Sequence, residues 1–139
     1  MSEEAKATGK FWTLVWSNRQ KGSYLLSNYE TTHIKSLPNG WLLRHRFMGG
    51  KYFTRSSIIF VPDPAHTWEA DHIEVQWERI YSRKTPNHVE YTNRLKTPQG
   101  WVIKEFFSTK RSASKEGTTC LSLTYFEDKD HQWVGVRLF

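Results

Sequence analysis

Leu37-Pro38-Asn39-Gly40-Trp41-Leu42-Leu43-Arg44 returns as Thr97-Pro98-Gln99-Gly100-Trp101-Val102-Ile103-Lys104, and this pair of octets decides the reading of the fold. From Trp41 to Trp101 the shift is 60 residues, and every position after the first is identical or chemically equivalent. A second pair follows in the same order. Phe60-Val61-Pro62-Asp63-Pro64-Ala65-His66-Thr67-Trp68 matches Tyr125-Phe126-Glu127-Asp128-Lys129-Asp130-His131-Gln132-Trp133, at a shift of 65. Each half of the chain therefore carries P-x-G-W and then D-x-x-H-x-W. Residue types as scarce as Trp, His and Pro, in one order and at nearly one shift, imply an internal duplication.

The extra five residues of the second copy fall in Ser108 to Gly117, a Ser/Lys-rich stretch that reads as a longer loop. Upstream the match weakens, with Trp16 set against Trp77 and Tyr29 against Tyr91. Each P-x-G-W reads as a hairpin turn: Pro fixes φ at the first turn position, Asn or Gln follows, Gly takes a left-handed position and Trp opens the next strand. Alternation with period two surrounds both turns, which is the pattern of half-buried strands.

The expected strands are Phe11 to Ser17, Ser23 to Lys35, Trp41 to Met48, Tyr52 to Val61, His72 to Arg83, His88 to Thr97, Trp101 to Thr109, Thr118 to Glu127 and Trp133 to Phe139. Helical periodicity is nowhere sustained, and Pro64 to Ala70 is the best short helical candidate. The predicted fold is all-β: an antiparallel up-and-down meander of about nine strands, closed into a barrel or strongly curved sheet and built from two four-stranded repeats. Closure would remove the exposed edges of a flat sheet. The expectation is one domain over residues 1–139, with repeat 1 at about 11–68, repeat 2 at about 72–133 and a closing strand at 133–139.

Composition agrees with a wet, aromatic-rich globule. Seven Trp, six Tyr and eight Phe supply packing area, while 24% charged residues keep the surface polar. Residues 1–10 are polar and of mixed charge, without the apolar stretch of a signal peptide, and no apolar run approaches the ~20 residues of a spanning helix. The expectation is a cytoplasmic protein with no membrane contact. The single cysteine, Cys120, excludes an intramolecular disulfide and a cysteine-based zinc site, and its flanks read as a strand. A net charge of +6 leaves a polyanionic partner open.

On the apolar phase of the strands four polar residues intrude: His45, Arg79, Asn93 and Glu105. His45 and Glu105 occupy equivalent repeat positions. A charge on an apolar face needs a partner, so these four, with Trp41, Trp77, Tyr91 and Trp101, form the expected lining of a site for a small apolar or aromatic ligand inside the barrel. An alternative is a basic module binding single-stranded nucleic acid on its outer face through Arg44, Arg46, Lys104, Lys110 and Arg111. A third reading is a scaffold domain that forms a homodimer through a sheet face.

The D-x-x-H-x-W segments offer one His and one or two carboxylates per copy, too few for zinc, so Asp is read as a turn organiser. No cofactor or metal is called for. Nucleophile-elbow, phosphate-loop and H-E-x-x-H patterns are missing from the sequence. That leaves a His45/Glu105 acid–base pair as the one catalytic arrangement conceivable, and the reading leans against an enzyme.

Overall fold

The computed structural model describes residues 12–19, 29–49, 53–68, 75–109 and 117–134. The chain divides into two compact units, Met1–Val75 and Gln76–Phe139. The first holds β1 (Thr13–Arg19), β2 (Tyr29–Leu37), β3 (Gly40–Gly49) and β4 (Phe53–Pro62). The second holds β5 (Trp77–Lys84), β6 (His88–Thr97), β7 (Gly100–Thr109) and β8 (Thr119–Glu127). Each unit is one antiparallel sheet with its strands side by side in chain order. The described residues contain no helix, and therefore none long and apolar enough to cross a membrane.

Two expectations need correction. There are eight described strands, not nine: Trp133 and Val134 lie outside any strand, and residues 135–139 of the expected closing strand fall outside the described residues. Nor is there a closed barrel. No pairing joins β4 to β5 or β8 to β1 among the described residues, which form two separate four-stranded sheets. Local alternation specifies strands and hairpins, whereas closure depends on which edges meet, and period two does not encode that. Pro64 to Trp68 is turn and irregular chain, not helix.

The repeat is carried in the register. Leu37 pairs Gly40 across Pro38-Asn39, and Thr97 pairs Gly100 across Pro98-Gln99. Neither glycine lies in the left-handed region, contrary to the turn reading. Glycine is required by space instead: a Cβ at Gly40 would enter the Val61 carbonyl oxygen, and one at Gly100 the Phe126 carbonyl oxygen. The first strands shift the alignment. Thr13 faces Ile34 and Glu78 faces Arg94, and both strands bulge just afterwards, between Leu14 and Trp16 and between Arg79 and Tyr81. Trp77 is therefore the counterpart of Trp12, Tyr81 of Trp16, and Val89 of Tyr29, which corrects the upstream pairings.

The two sheets bury opposite faces. In β3 the buried residues alternate as Trp41, Leu43, His45 and Phe47, whereas in β7 Trp101 is followed by Val102, Lys104 and Phe106. Substitutions at equivalent positions account for the exchange. Thr31, Lys35 and Arg46 become Tyr91, Leu95 and Phe106, turning one face apolar, while buried Ile34 becomes Arg94 on the other. Burying a large apolar side chain is worth ~1.5–3 kcal/mol, so three such changes suffice to decide which face is covered.

Candidate functional site

Two structural arrangements account for most of the residues singled out from the sequence. The first closes the hairpin end of each unit. The Trp41 Nε1–H donates to Asp63 Oδ2 at 2.8 Å, and the same carboxylate accepts the Trp68 N–H at 2.9 Å and the Thr67 N–H and hydroxyl at 3.0 Å. His66 sits at φ 49°, which lets its Nε2–H donate to the carbonyls of Leu37 at 2.7 Å and Gly40 at 3.2 Å. Trp41 meets His66 and Trp68 edge to face.

The second unit repeats this clasp, without the bonds that the Thr67 hydroxyl and the Gly40 carbonyl make in the first. Trp101 donates to Asp128 at 3.0 Å, Gln132 and Trp133 N–H groups close on the same carboxylate, and His131 at φ 51° donates to the Thr97 carbonyl at 2.6 Å. For Asp63, burial acts to raise the carboxyl, but the bonds from Trp41, Trp68 and Thr67 outweigh it and hold the group below its ordinary value. For Asp128 the Trp101 bond leads, with the Trp133 and Gln132 N–H groups, in the same direction. These acceptors and donors are thus engaged within the fold, and Trp41 and Trp101 are clasp members rather than the lining of an open interior. Among the described residues no three His, Cys, Asp or Glu side chains gather as a metal site.

In the second unit Arg94 extends the clasp. Its guanidinium lies 3.9 Å over Trp101, donates from Nε to Glu78 at 2.6 Å and from Nη1 to the Trp133 carbonyl at 2.7 Å. Arg94→Met is expected to lower stability by about 2 kcal/mol, since bonds to a charged donor are lost while the stem is replaced. Urea denaturation of the variant checks this.

The expected ligand set is divided between the sheets. His45 is fully buried in the first unit, 2.7 Å from Glu30 Oε1 through Nε2 and 2.8 Å from Thr32 Oγ1 through Nδ1. Its repeat counterpart Glu105 is exposed, contrary to the inward position expected, because β7 buries its other face. The carboxylate at His45 is Glu30, a partner the strand phase alone missed. Arg79, Asn93, Trp77 and Tyr91 do share one face of the second sheet. Arg79 Nε donates to Asn93 Oδ1 at 2.8 Å and its guanidinium lies 4.1 Å over Tyr91, while Lys104 Nζ lies 4.5 Å from the Trp77 ring. Lys104, expected outward, is 1% exposed on that face. Lys110 and Arg111 lie outside the described residues.

The second arrangement is the face of the first sheet opposite His45. Register places Leu14, His33, Arg44 and Ile58 in one row across all four strands, with Lys35, Leu42 and Phe60 in the next and Thr31, Arg46 and Ser56 on the other side. Arg44 stacks 4.2 Å from the Trp12 ring centre. Leu14 is 54% exposed, Ile58 53% and Phe60 42%, so these three apolar members of the face meet solvent.

No carboxylate stands on this face among the described residues; Glu30 is on the reverse side with His45. The crowding of positive charge is felt by the groups themselves. Burial, then the charges of Arg44 and Arg46, lower the His33 imidazole, and burial and then Arg46 lower the Arg44 guanidinium. The Nε of Arg44 and the Nδ1 of His33 are buried without a hydrogen-bond partner. Buried polar atoms are nearly always satisfied, so two orphans side by side in a cationic row require an explanation.

Comparison with protein-family models, with curated proteins and with solved structures gave no match.

Proposed function

We propose that the first unit binds single-stranded nucleic acid on the face of its sheet that carries His33, Lys35, Arg44 and Arg46. One observation carries this reading: Arg44, Arg46 and His33 share a face that holds no carboxylate among the described residues, and Arg44 and His33 each keep a buried nitrogen that no described group satisfies. Like charges left together this way cost stability, and an anionic ligand offsets the cost by supplying acceptors and negative charge. The exposed apolar and aromatic residues around them select the kind of anion. Phe60 offers an exposed flat surface on which a base stacks while phosphates reach the cations, the combination that holds single strands without reading sequence, and the half-buried Trp12 carries Arg44 on one ring face.

A fluorescent oligothymidylate titrated with the protein tests the proposal. Three phosphate contacts, from Lys35, Arg44 and Arg46, imply a log–log salt slope near −2, so affinity should fall roughly 20-fold between about 50 mM and about 200 mM salt. Arg44→Glu and Arg46→Glu should each weaken binding for every sequence and flatten that slope. Failure to retain any single strand at the lower salt, with the protein folded, overturns the reading.

A small aromatic ligand is the second reading, favoured by the convergence of Trp77, Arg79, Tyr91 and Asn93 on one face of the second sheet. It now rests on that face alone, without a barrel interior.

A further inference from the structure

We propose that His33 is the proton-linked contact of the nucleic-acid face: it takes up a proton as a phosphate seats against Arg44, so binding strengthens as the pH falls. This rests on the nucleic-acid reading and names a regulation of the same site.

Geometry carries the argument. His33 stands directly opposite Arg44 on the neighbouring strand, with Leu14 on its other side and Ile58 beyond Arg44. From its own strand the charged residue on this face is Lys35, and from β3 Arg44 and Arg46. β1 contributes Leu14 and Ser17, and β4 contributes Ile58, Phe60 and Ser56. Every described charge facing the ring is therefore positive.

Without ligand the imidazole is the one group of this row able to shed its charge near neutral pH, and burial with its two arginine neighbours makes it do so. A phosphate beside Arg44 reverses the balance. Its negative charge screens the arginines from His33, and its oxygens accept a hydrogen bond from the imidazolium but not from a bare ring nitrogen. The neutral ring binds phosphate less well than the charged one, so by linkage the complex holds the extra proton. The histidine value is lowered in the free protein and raised in the complex. Affinity therefore grows as the pH falls through the bound-state value and levels off below the free-state value.

The experiment measures the dissociation constant for a labelled oligothymidylate of about ten nucleotides from about pH 8 to about pH 5.5 at fixed ionic strength. Thymine and the phosphodiester do not titrate in this window, so the slope belongs to the protein. The expected result is affinity rising toward about tenfold per pH unit over part of the range. Calorimetry in two buffers of different ionisation enthalpy should show proton uptake on binding. His33→Gln should still bind and lose the slope and the proton uptake, while His88→Gln, in the second unit, should keep both. A wild-type slope of zero, or a slope that His33→Gln leaves intact, overturns the inference while the binding face stands. An absence of binding throughout the range overturns the binding face and the inference together.

Discussion

Replacing Asp63 with alanine is expected to cost about 3–4 kcal/mol of stability, read as a large drop in the urea midpoint. The carboxylate is 1% exposed and receives bonds from Trp41, Thr67 and Trp68. Its removal leaves the Trp41 indole N–H buried without an acceptor and frees the chain after β4. Each bond to a charged acceptor is worth about 1.5–3 kcal/mol, and the total is less than their sum because they share one group. Asp128→Ala should be milder, since its clasp is more open to water.

The pH dependence has a definite sign. The Asp63 carboxyl is held below its unfolded value, so its contribution is fully present above about pH 4 and is lost as the pH falls through the lower, folded value. Asp63→Asn should remove that part of the acid destabilisation. An unfolding free energy for Asp63→Ala within about 1 kcal/mol of wild type, by the scale of ordinary surface changes, would mean that the clasp does not hold the hairpin.

The clasp was legible in the sequence because its chemistry is rigid. A Trp after the turn, an Asp after the next strand and a His three residues later must recur together if a carboxylate is to receive the indole and the following backbone N–H groups. Strand positions were legible for a similar reason, since alternation reports directly on a pleated, half-buried chain. Faces were less so. β7 reads Val102, Ile103, Lys104, Glu105, Phe106, Phe107, apolar on both phases, and a choice between them turns on residues of β6 and β5 across the sheet. Choosing the phase of Trp101 put Glu105 inside and Lys104 outside, the reverse of what the sheet does. The upstream alignment slipped because nine residues separate the paired Arg19 and Tyr29 but only four separate Lys84 and Val89, so the shift between copies changes from 60 to 65 in the first strands.

Half of the cationic face was open to the same reasoning. Arg44 and Arg46 stand out on the phase opposite Leu43 and Phe47. His33, Lys35, Trp12 and Phe60 were missed, because a row across a sheet is visible only through register. The signal was nevertheless present. Once Leu37 and Gly40 are paired by the turn, counting back two by two puts His33 opposite Arg44 and Lys35 opposite Leu42. The partners of His45, Glu30 and Thr32, follow from the same count.

Gly40→Ala and Gly100→Ala are expected to be as damaging as loss of the Asp63 carboxylate, at about 3 kcal/mol or more each. In a hairpin position with ordinary φ an added methyl group is usually cheap. Here the new Cβ of Gly40 would enter the Val61 carbonyl oxygen and lie 2.9 Å from the Asp63 nitrogen. Both are backbone atoms, and neither can swing aside. The strand must retreat, and with it go the bond from the Asp63 N–H to the Asn39 carbonyl, 3.0 Å, and the seat of the Trp41 indole. At Gly100 the obstacles are the Phe126 carbonyl oxygen, the Asp128 nitrogen and Glu127 Cα, so the second clasp should open in the same way. Asn39→Ala is the control, because the exposed Asn39 contributes its backbone carbonyl to this contact and should lose less than about 1 kcal/mol. Denaturation curves of the three variants decide the matter. If Gly40→Ala unfolds at the same urea concentration as Asn39→Ala, close approach of β4 to the turn is not what fixes glycine in both repeats.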